Sequence, residues 1–141
     1  MKRLVSAAAA ALVGAAVLTA AAVAAVAPGT YKGNLYTGAT KGAAATVTVA
    51  GNKVTIKAAK FAVKCQGASG AYDQPAAPTK YEFKGTLKGN SVSGTYVPPL
   101  GGTGEYFTAK LTYAAATKSF SGKLAFVGKC QGSSTVNAKK A

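Results

Sequence analysis

The tetrapeptide Lys-Cys-Gln-Gly occurs twice, at residues 64–67 and 129–132, and its two cysteines are the only ones in the chain. One pair with no thiol left over reads as a single disulfide, Cys65–Cys130, formed in an oxidising compartment. On the chain-entropy view, closing a loop of about 66 residues removes roughly 4 kcal/mol from the denatured state. The bridge also limits topology, because its Cα atoms must approach within about 7 Å.

The N-terminus explains how such a bridge could form. Lys2 and Arg3 precede an uncharged run from Leu4 to Ala27, rich in Ala, Val and Leu, with small residues towards its end (Ala22-Val23-Ala24 or Val23-Ala24-Ala25). This reads as a helical signal peptide over residues 1–25 ahead of one domain over 26–141, and hence as a secreted, periplasmic or cell-envelope protein. The run is long enough to span a bilayer, so an uncleaved anchor is the competing reading. Alanine is weakly apolar, and the small-residue end favours cleavage. With no cysteine near the cut, a lipoprotein anchor is excluded.

Beyond the leader stand 15 lysines against Asp73, Glu82 and Glu105, a formal +12, and the single Arg is left behind in the leader. That balance favours polyanionic partners and keeps a β protein soluble. Lysines on solvated strand faces are also the common way of protecting sheet edges.

After Pro28 the apolar residues recur with period two, bounded by Gly, Asn and Pro. This predicts eight strands, over 30–36, 44–50, 53–66 (bent), 80–88, 91–97, 104–113, 119–130 and 133–139. Gly51-Asn52 and Gly89-Asn90 read as two-residue hairpin turns. The first sets Val49 opposite Val54 and Val47 opposite Ile56. The second sets Leu87 opposite Val92 and Phe83 opposite Tyr96, with Lys84 and Lys88 on the other face. The apolar phase slips between Ile56 and Phe61, which predicts a bulge near 58–60. Gly33, Gly85, Gly94 and Gly122 each occupy an inward position between apolar neighbours. They serve strand coiling and close ring packing, or else room for an internal ligand. A faint duplication at an offset of 65 relates the two cysteines, Phe61 to Phe126, and Gly29-Thr30-Tyr31 to Gly94-Thr95-Tyr96.

In an up-and-down meander, Cys65 would end the third strand and Cys130 the seventh, both inward and at the same end. Those strands face each other across a round barrel. The bridge therefore predicts an all-β fold of about eight antiparallel strands in a flattened up-and-down barrel or a two-sheet sandwich. The long connections 37–43, 67–79 and 98–103 fall at the cysteine end. They make Lys41, Tyr72, Asp73 and Leu100 a candidate loop-end binding site.

The chain has no histidine, which removes Ser-His-Asp and Cys-His catalysis and the usual zinc sites. Three carboxylates spread along the chain are a poor basis for a glycosidase pair or a calcium cage. Gly33 and Gly38 have phosphate-loop spacing, but Ala39 stands where Lys is required. The reading is of a non-enzyme with no catalytic residues, no metal and no cofactor. Outward lysines do not suit a lipid-facing barrel wall, so the domain is not expected to span a membrane. Lysine without arginine attracts phosphate but reads few base edges, which argues against specific nucleic-acid readout. Tyr36 and Tyr106 are too few outward aromatics for a base-stacking platform.

Gly29-Thr30-Tyr31-Lys32-Gly33, then Val47-x-Val49 with Gly51-Asn52-Lys53-Val54, then Phe61-x-Val63-x-Cys65 resembles small secreted bacterial proteins of unknown function. Those are all-β domains common in actinobacteria, with a late second Cys and a Lys-rich end such as Lys139-Lys140. The resemblance implies fold and export, and no activity. Avidin-like and lipocalin-like barrels share the strand rhythm, but the absence of Trp counts against both. The leading expectation is an exported protein that binds polyanions, such as cell-wall polymers, through Lys32, Lys84, Lys88, Lys110 and Lys123. The alternatives are a small-ligand or protein-binding module (for example protease-inhibitor-like) at the long-loop end, and a structural exported protein with no specific ligand. Oligomeric state is not legible.

Overall fold

The computed structural model describes residues 25–99 and 104–141. The expected leader, apart from Ala25, and Leu100 lie outside the described residues. Among the described residues no helix is long and apolar enough to cross a membrane. The chain is all β. Its strands are β1 (Gly29–Thr37), β2 (Thr40–Ala50), β3 (Lys53–Phe61), β4 (Lys64–Cys65), β5 (Gln74–Pro75), β6 (Thr79–Lys88), β7 (Ser91–Tyr96), β8 (Tyr106–Ala114), β9 (Ser119–Val127) and β10 (Cys130–Lys140).

Eight of these form a closed antiparallel barrel in the order β1-β2-β3-β6-β7-β8-β9-β10, with β10 returning to pair with β1. The alternation read from the sequence drives this closure. Val47, Val49, Val54 and Ile56 are buried, and their neighbours Thr48, Lys53 and Lys57 are exposed. The first hairpin has the expected register, Val49↔Val54 and Val47↔Ile56, and the β3–β6 ladder slips between Ala58 and Phe61, where a bulge was expected.

An eight-stranded barrel has an interior just wide enough for side chains to fill it. Here aromatic rings do so in two groups. Phe61, Tyr81, Phe107 and Phe126 form a chain with successive ring centroids 5.1, 4.8 and 5.0 Å apart at the cysteine end. Tyr31, Tyr113 and Phe120 cluster at the other end, with Tyr31 4.9 Å from Phe120 and edge-on to it. Edge-to-face and tilted pairs of this kind add about 0.5–1.5 kcal/mol each beyond their buried area. Three of the inward glycines, Gly33, Gly85 and Gly122, are crowded by neighbours. A Cβ at Gly85 would lie 2.6 Å from Cζ of Phe83, and one at Gly33 or Gly122 would run into the backbone of Asn137 or Lys110. Close packing, not ligand space, accounts for these three.

Four expectations need correction. First, of the two architectures expected, the up-and-down barrel is the one found, its ladder continuous and closed, and what needs correcting is the sandwich alternative and the pinching of opposite walls. The reason lies in the cysteines. Cys130 opens β10 instead of ending β9, because the chain turns at Gly128-Lys129. Cys65 is not in the wall at all. After Phe61 the chain leaves β3, crosses the mouth, and pairs as β4 with the first residues of β10. β1 reaches β10 only as far as Tyr36↔Thr135. The start of β10 therefore overhangs, and β4 takes the place beside it. Cys65 and Cys130 sit opposite each other with Cα atoms 3.9 Å apart and are bonded. Opposite walls need not be pinched together.

Second, residues 37–43 are not a long loop. Thr37 pairs with Thr40 across a tight Gly38-Ala39 turn, which Gly38 permits with φ 59°. Third, the β6–β7 hairpin pairs only at Leu87↔Val92 and Lys88↔Ser91, so Phe83 does not register opposite Tyr96. The Phe83 ring folds over Gly85 and reaches towards Gly94, and Pro98 and Pro99 follow β7. Fourth, Gly94 is exposed although its partner Ala109 is buried, because it borders this unpaired seam.

Candidate functional site

Strand alternation puts the expected polyanion-binding lysines outside. Lys32, Lys84, Lys88, Lys110 and Lys123 are all exposed. The closed wall does not gather them on one face. It sets two like-charged pairs directly opposite each other across strands, Lys110↔Lys123 on β8–β9 and Lys32↔Lys139 on β1–β10. Continuing across the ladder, the second pair is followed by Thr46 and Lys57, and the first by Thr135, Tyr36 and Lys41. The outer wall is thus banded with ammonium groups and hydroxyls. Lys139 was missed as a partner because only barrel closure sets it against Lys32.

Lys84 lies elsewhere, over the seam. Its Nζ is 3.4 Å from Glu82 Oε1, and Lys80 Nζ is 3.8 Å from Oε2 of the same carboxylate. Lys84 also sits 5.8 Å over the Tyr96 ring. Tyr96 first, and Glu82 second, hold its ammonium above the usual lysine pKa. Beneath these groups runs a groove of about 450 Å³ lined by Tyr96, Pro98, Pro99 and Phe107, with Val97 beside it in sequence and 61% exposed. Lys88 stands apart at the tight-turn end, opposite Ser91.

At the cysteine end the crossing segment builds a second surface. The Tyr72 hydroxyl donates to the Gly128 carbonyl at 2.8 Å, which pins residues 66–73 over the end of β9. A cleft of about 350 Å³ results, lined by Lys64, Tyr72, Lys123, Gln131 and Ser133 over a floor of Ala125 and Val127. The small residues Ala125 and Ser133 leave the wall low between Lys123 and Lys64. A companion groove of about 430 Å³ lies on the other side of Lys64, against Thr37, Pro75 and Pro78. Gly132 is required beneath this crossing, since a Cβ there would meet the Ala62 carbonyl and lie 2.8 Å from the Phe61 ring.

Of the expected loop-end residues, Tyr72 lines the cleft. Asp73 is exposed, with its Oδ1 accepting from Gln74 Nε2 at 3.2 Å. Lys41 belongs to a strand, opposite Tyr36. Lys64, Gln131 and Ser133 were not anticipated as site residues. The repeated tetrapeptide was the signal that held the first two. The carboxylates lie on separate elements, with Asp73 in the crossing segment, Glu82 on β6 and Glu105 just before β8. Among the described residues no group of three or more His, Cys, Asp and Glu side chains comes together. No protein-family model, curated protein or solved structure matches the chain.

Proposed function

We propose that this chain is an exported, non-enzymatic barrel that binds polyanions, cell-wall polymers among them, through its lysine-bearing outer wall. One observation carries the reading. Lys110 faces Lys123 and Lys32 faces Lys139 as direct cross-strand partners. Like charges in that position destabilise a sheet, and an anion bridging them removes the penalty. The chain holds few acids that could do so internally, and Glu82 is already engaged by Lys80 and Lys84. A disulfide fits an oxidising environment outside the cytoplasm, and a wall of lysine and threonine faces water more readily than lipid. Retention on immobilised heparin and on long-chain polyphosphate, followed against salt, tests the proposal. Affinity should fall linearly in log–log form, with a slope of roughly 0.7–0.9 per lysine engaged. Failure to bind either polymer at low ionic strength ends it.

A protein-binding module is the second reading, favoured by the groove at the β6–β7 seam with Val97 exposed beside it. Val97→Asp should then abolish partner capture and leave heparin retention unchanged.

A further inference from the structure

The two copies of Lys-Cys-Gln-Gly meet each other in the fold. Cys65 is opposite Cys130, and Lys64 is opposite Gln131. In the same register, the Gln66 N–H donates to the Lys129 carbonyl at 3.1 Å. The repeat is therefore its own antiparallel partner. Lysine faces glutamine on one side of the disulfide, glutamine faces lysine on the other, and the two halves are related by a local two-fold through the bridge.

Side chains on paired strands alternate between faces. Cys65 and Cys130 are half-buried, and Lys64, Gln66, Lys129 and Gln131 are all exposed. The four polar residues thus share the outer face of a ribbon whose inner face is the disulfide. Directly opposite positions on such a ribbon have Cβ atoms about 5 Å apart, and diagonal ones are about 7–8 Å apart. Lys64 and Lys129 occupy one diagonal, the two glutamines the other. The Gln66 carboxamide is held by donating to the Gly70 carbonyl at 3.1 Å, which leaves its second N–H available.

We infer that this self-paired ribbon recognises two successive tetrahedral oxyanions, phosphate or sulfate, of one polymer. Each half offers one ammonium and one amide donor. Lysine binds phosphate as a point charge. Arginine, whose fork captures carboxylate and phosphate alike, is absent outside the leader, so each ammonium here acts as a point charge with an amide donor beside it. Lys64 and Gln131 also border the cleft that holds Lys123, whose partner is Lys110. A polymer seated on the ribbon is thereby led onto the wall. This inference rests on the polyanion reading above and assigns it a specific place.

The test compares two charge-matched double variants of the oxidised protein, Lys64→Gln/Lys129→Gln in the ribbon and Lys32→Gln/Lys139→Gln in the wall. The probes are polyphosphate, heparin and polyglutamate. The ribbon variant should lose roughly tenfold in affinity for polyphosphate or for heparin, several times more than the wall variant, with little change on polyglutamate. Selective loss on polyphosphate names a phosphate-bearing source, and on heparin a sulfated one. Equal losses for the two variants, or a loss concentrated on polyglutamate, overturn the site while leaving the wider reading intact. Wild-type protein that binds none of the probes removes that reading as well. Gln66→Ala/Gln131→Ala keeps every charge and should still weaken the preferred polymer, and an unchanged affinity overturns the role of the carboxamides. Reduced protein whose circular dichroism still reports the barrel should behave as the ribbon variant does. A preference that survives reduction overturns the paired geometry.

Discussion

The two ends of the barrel are closed by different means. At the tight-turn end the backbone closes itself. Leu87 N–H donates to the Asn52 carbonyl and Tyr113 N–H to that of Asn90, both at 2.8 Å, so each turn is tied to the next strand along. Residues 27–31 and the last two residues join them, with Ala141 N–H on the Thr30 carbonyl at 3.0 Å, the Tyr31 hydroxyl on that of Ala27 at 2.7 Å, and the Lys140 ammonium on that of Pro28. At the cysteine end a chain segment leaves the wall, crosses the mouth and is anchored covalently to β10. Hydrogen bonds between strands close the first end, which carries a cleft of about 350 Å³ lined by Val26, Asn52, Leu87 and Asn90. The second, held by a long-range bond, presents side chains drawn from distant parts of the chain. Mixed Lys/Gln chemistry lines the clefts at the end that the disulfide anchors.

Removing a ring from either end tests how far the two are coupled. Phe61→Ala and Phe120→Ala each delete a fully buried aromatic and should each cost about 3–5 kcal/mol in denaturant unfolding. Hydrogen exchange should separate them, with Phe61→Ala also exposing residues 62–78 and Phe120→Ala leaving that segment protected. Equal exposure after both would mean that the ends are one cooperative unit.

Replacing both cysteines by serine should cost about 2–4 kcal/mol. The loss of protection should be confined to β4, β5 and the start of β10, because β1 and β10 keep their own pairing from Tyr31↔Lys140 to Tyr36↔Thr135. Unfolding of the whole wall would show that the bridge, and not the ladder, closes the barrel. Gly132→Ala should cost about 1–3 kcal/mol by pushing the crossing segment off β10, and the tight-turn amides should keep their exchange rates.

Alkali should act on both ends alike and most gently. Burial, then the hydrogen bond and charge of Tyr113, push the Tyr31 phenol from 10.0 up to about 12, and burial raises Tyr81 at the other end. A raised folded-state pKa means the fold favours the protonated phenol. That contribution is complete below pH 10 and is lost as pH rises from there through about 12. Phenolate absorbance should show these two tyrosines ionising last, with stability falling in the same window.

Much of the fold was legible because alternation is local. Val47, Val49, Val54 and Ile56 declared their face, and Gly51-Asn52 their register, within a dozen residues. The slip at 58–60 was equally local. The β6–β7 seam was not legible, since its pairing stops where the Phe83 ring folds over Gly85, a contact that alternation does not encode. Of the candidate site, outward exposure of Lys110 and Lys123 followed from their strands, but the pairing of Lys32 with Lys139 needed the last strand to return to the first. Lys41 was misplaced because a two-residue turn at Gly38-Ala39 looks, in sequence, like part of a longer polar loop.

By itself the sequence determined an all-β domain, most of its wall strands, its lysine-covered exterior and the one disulfide its two cysteines allow. These depend on side-chain period, turn chemistry and a count of thiols, all local or compositional. Only the tertiary structure decided that the sheet closes, that Cys65 leaves the wall, and that each Lys-Cys-Gln-Gly becomes the partner of the other. That pairing joins residues 65 apart in the chain. It exists because β10 overhangs β1, and such an offset between strand ends is a property of the closed barrel, written in no single strand.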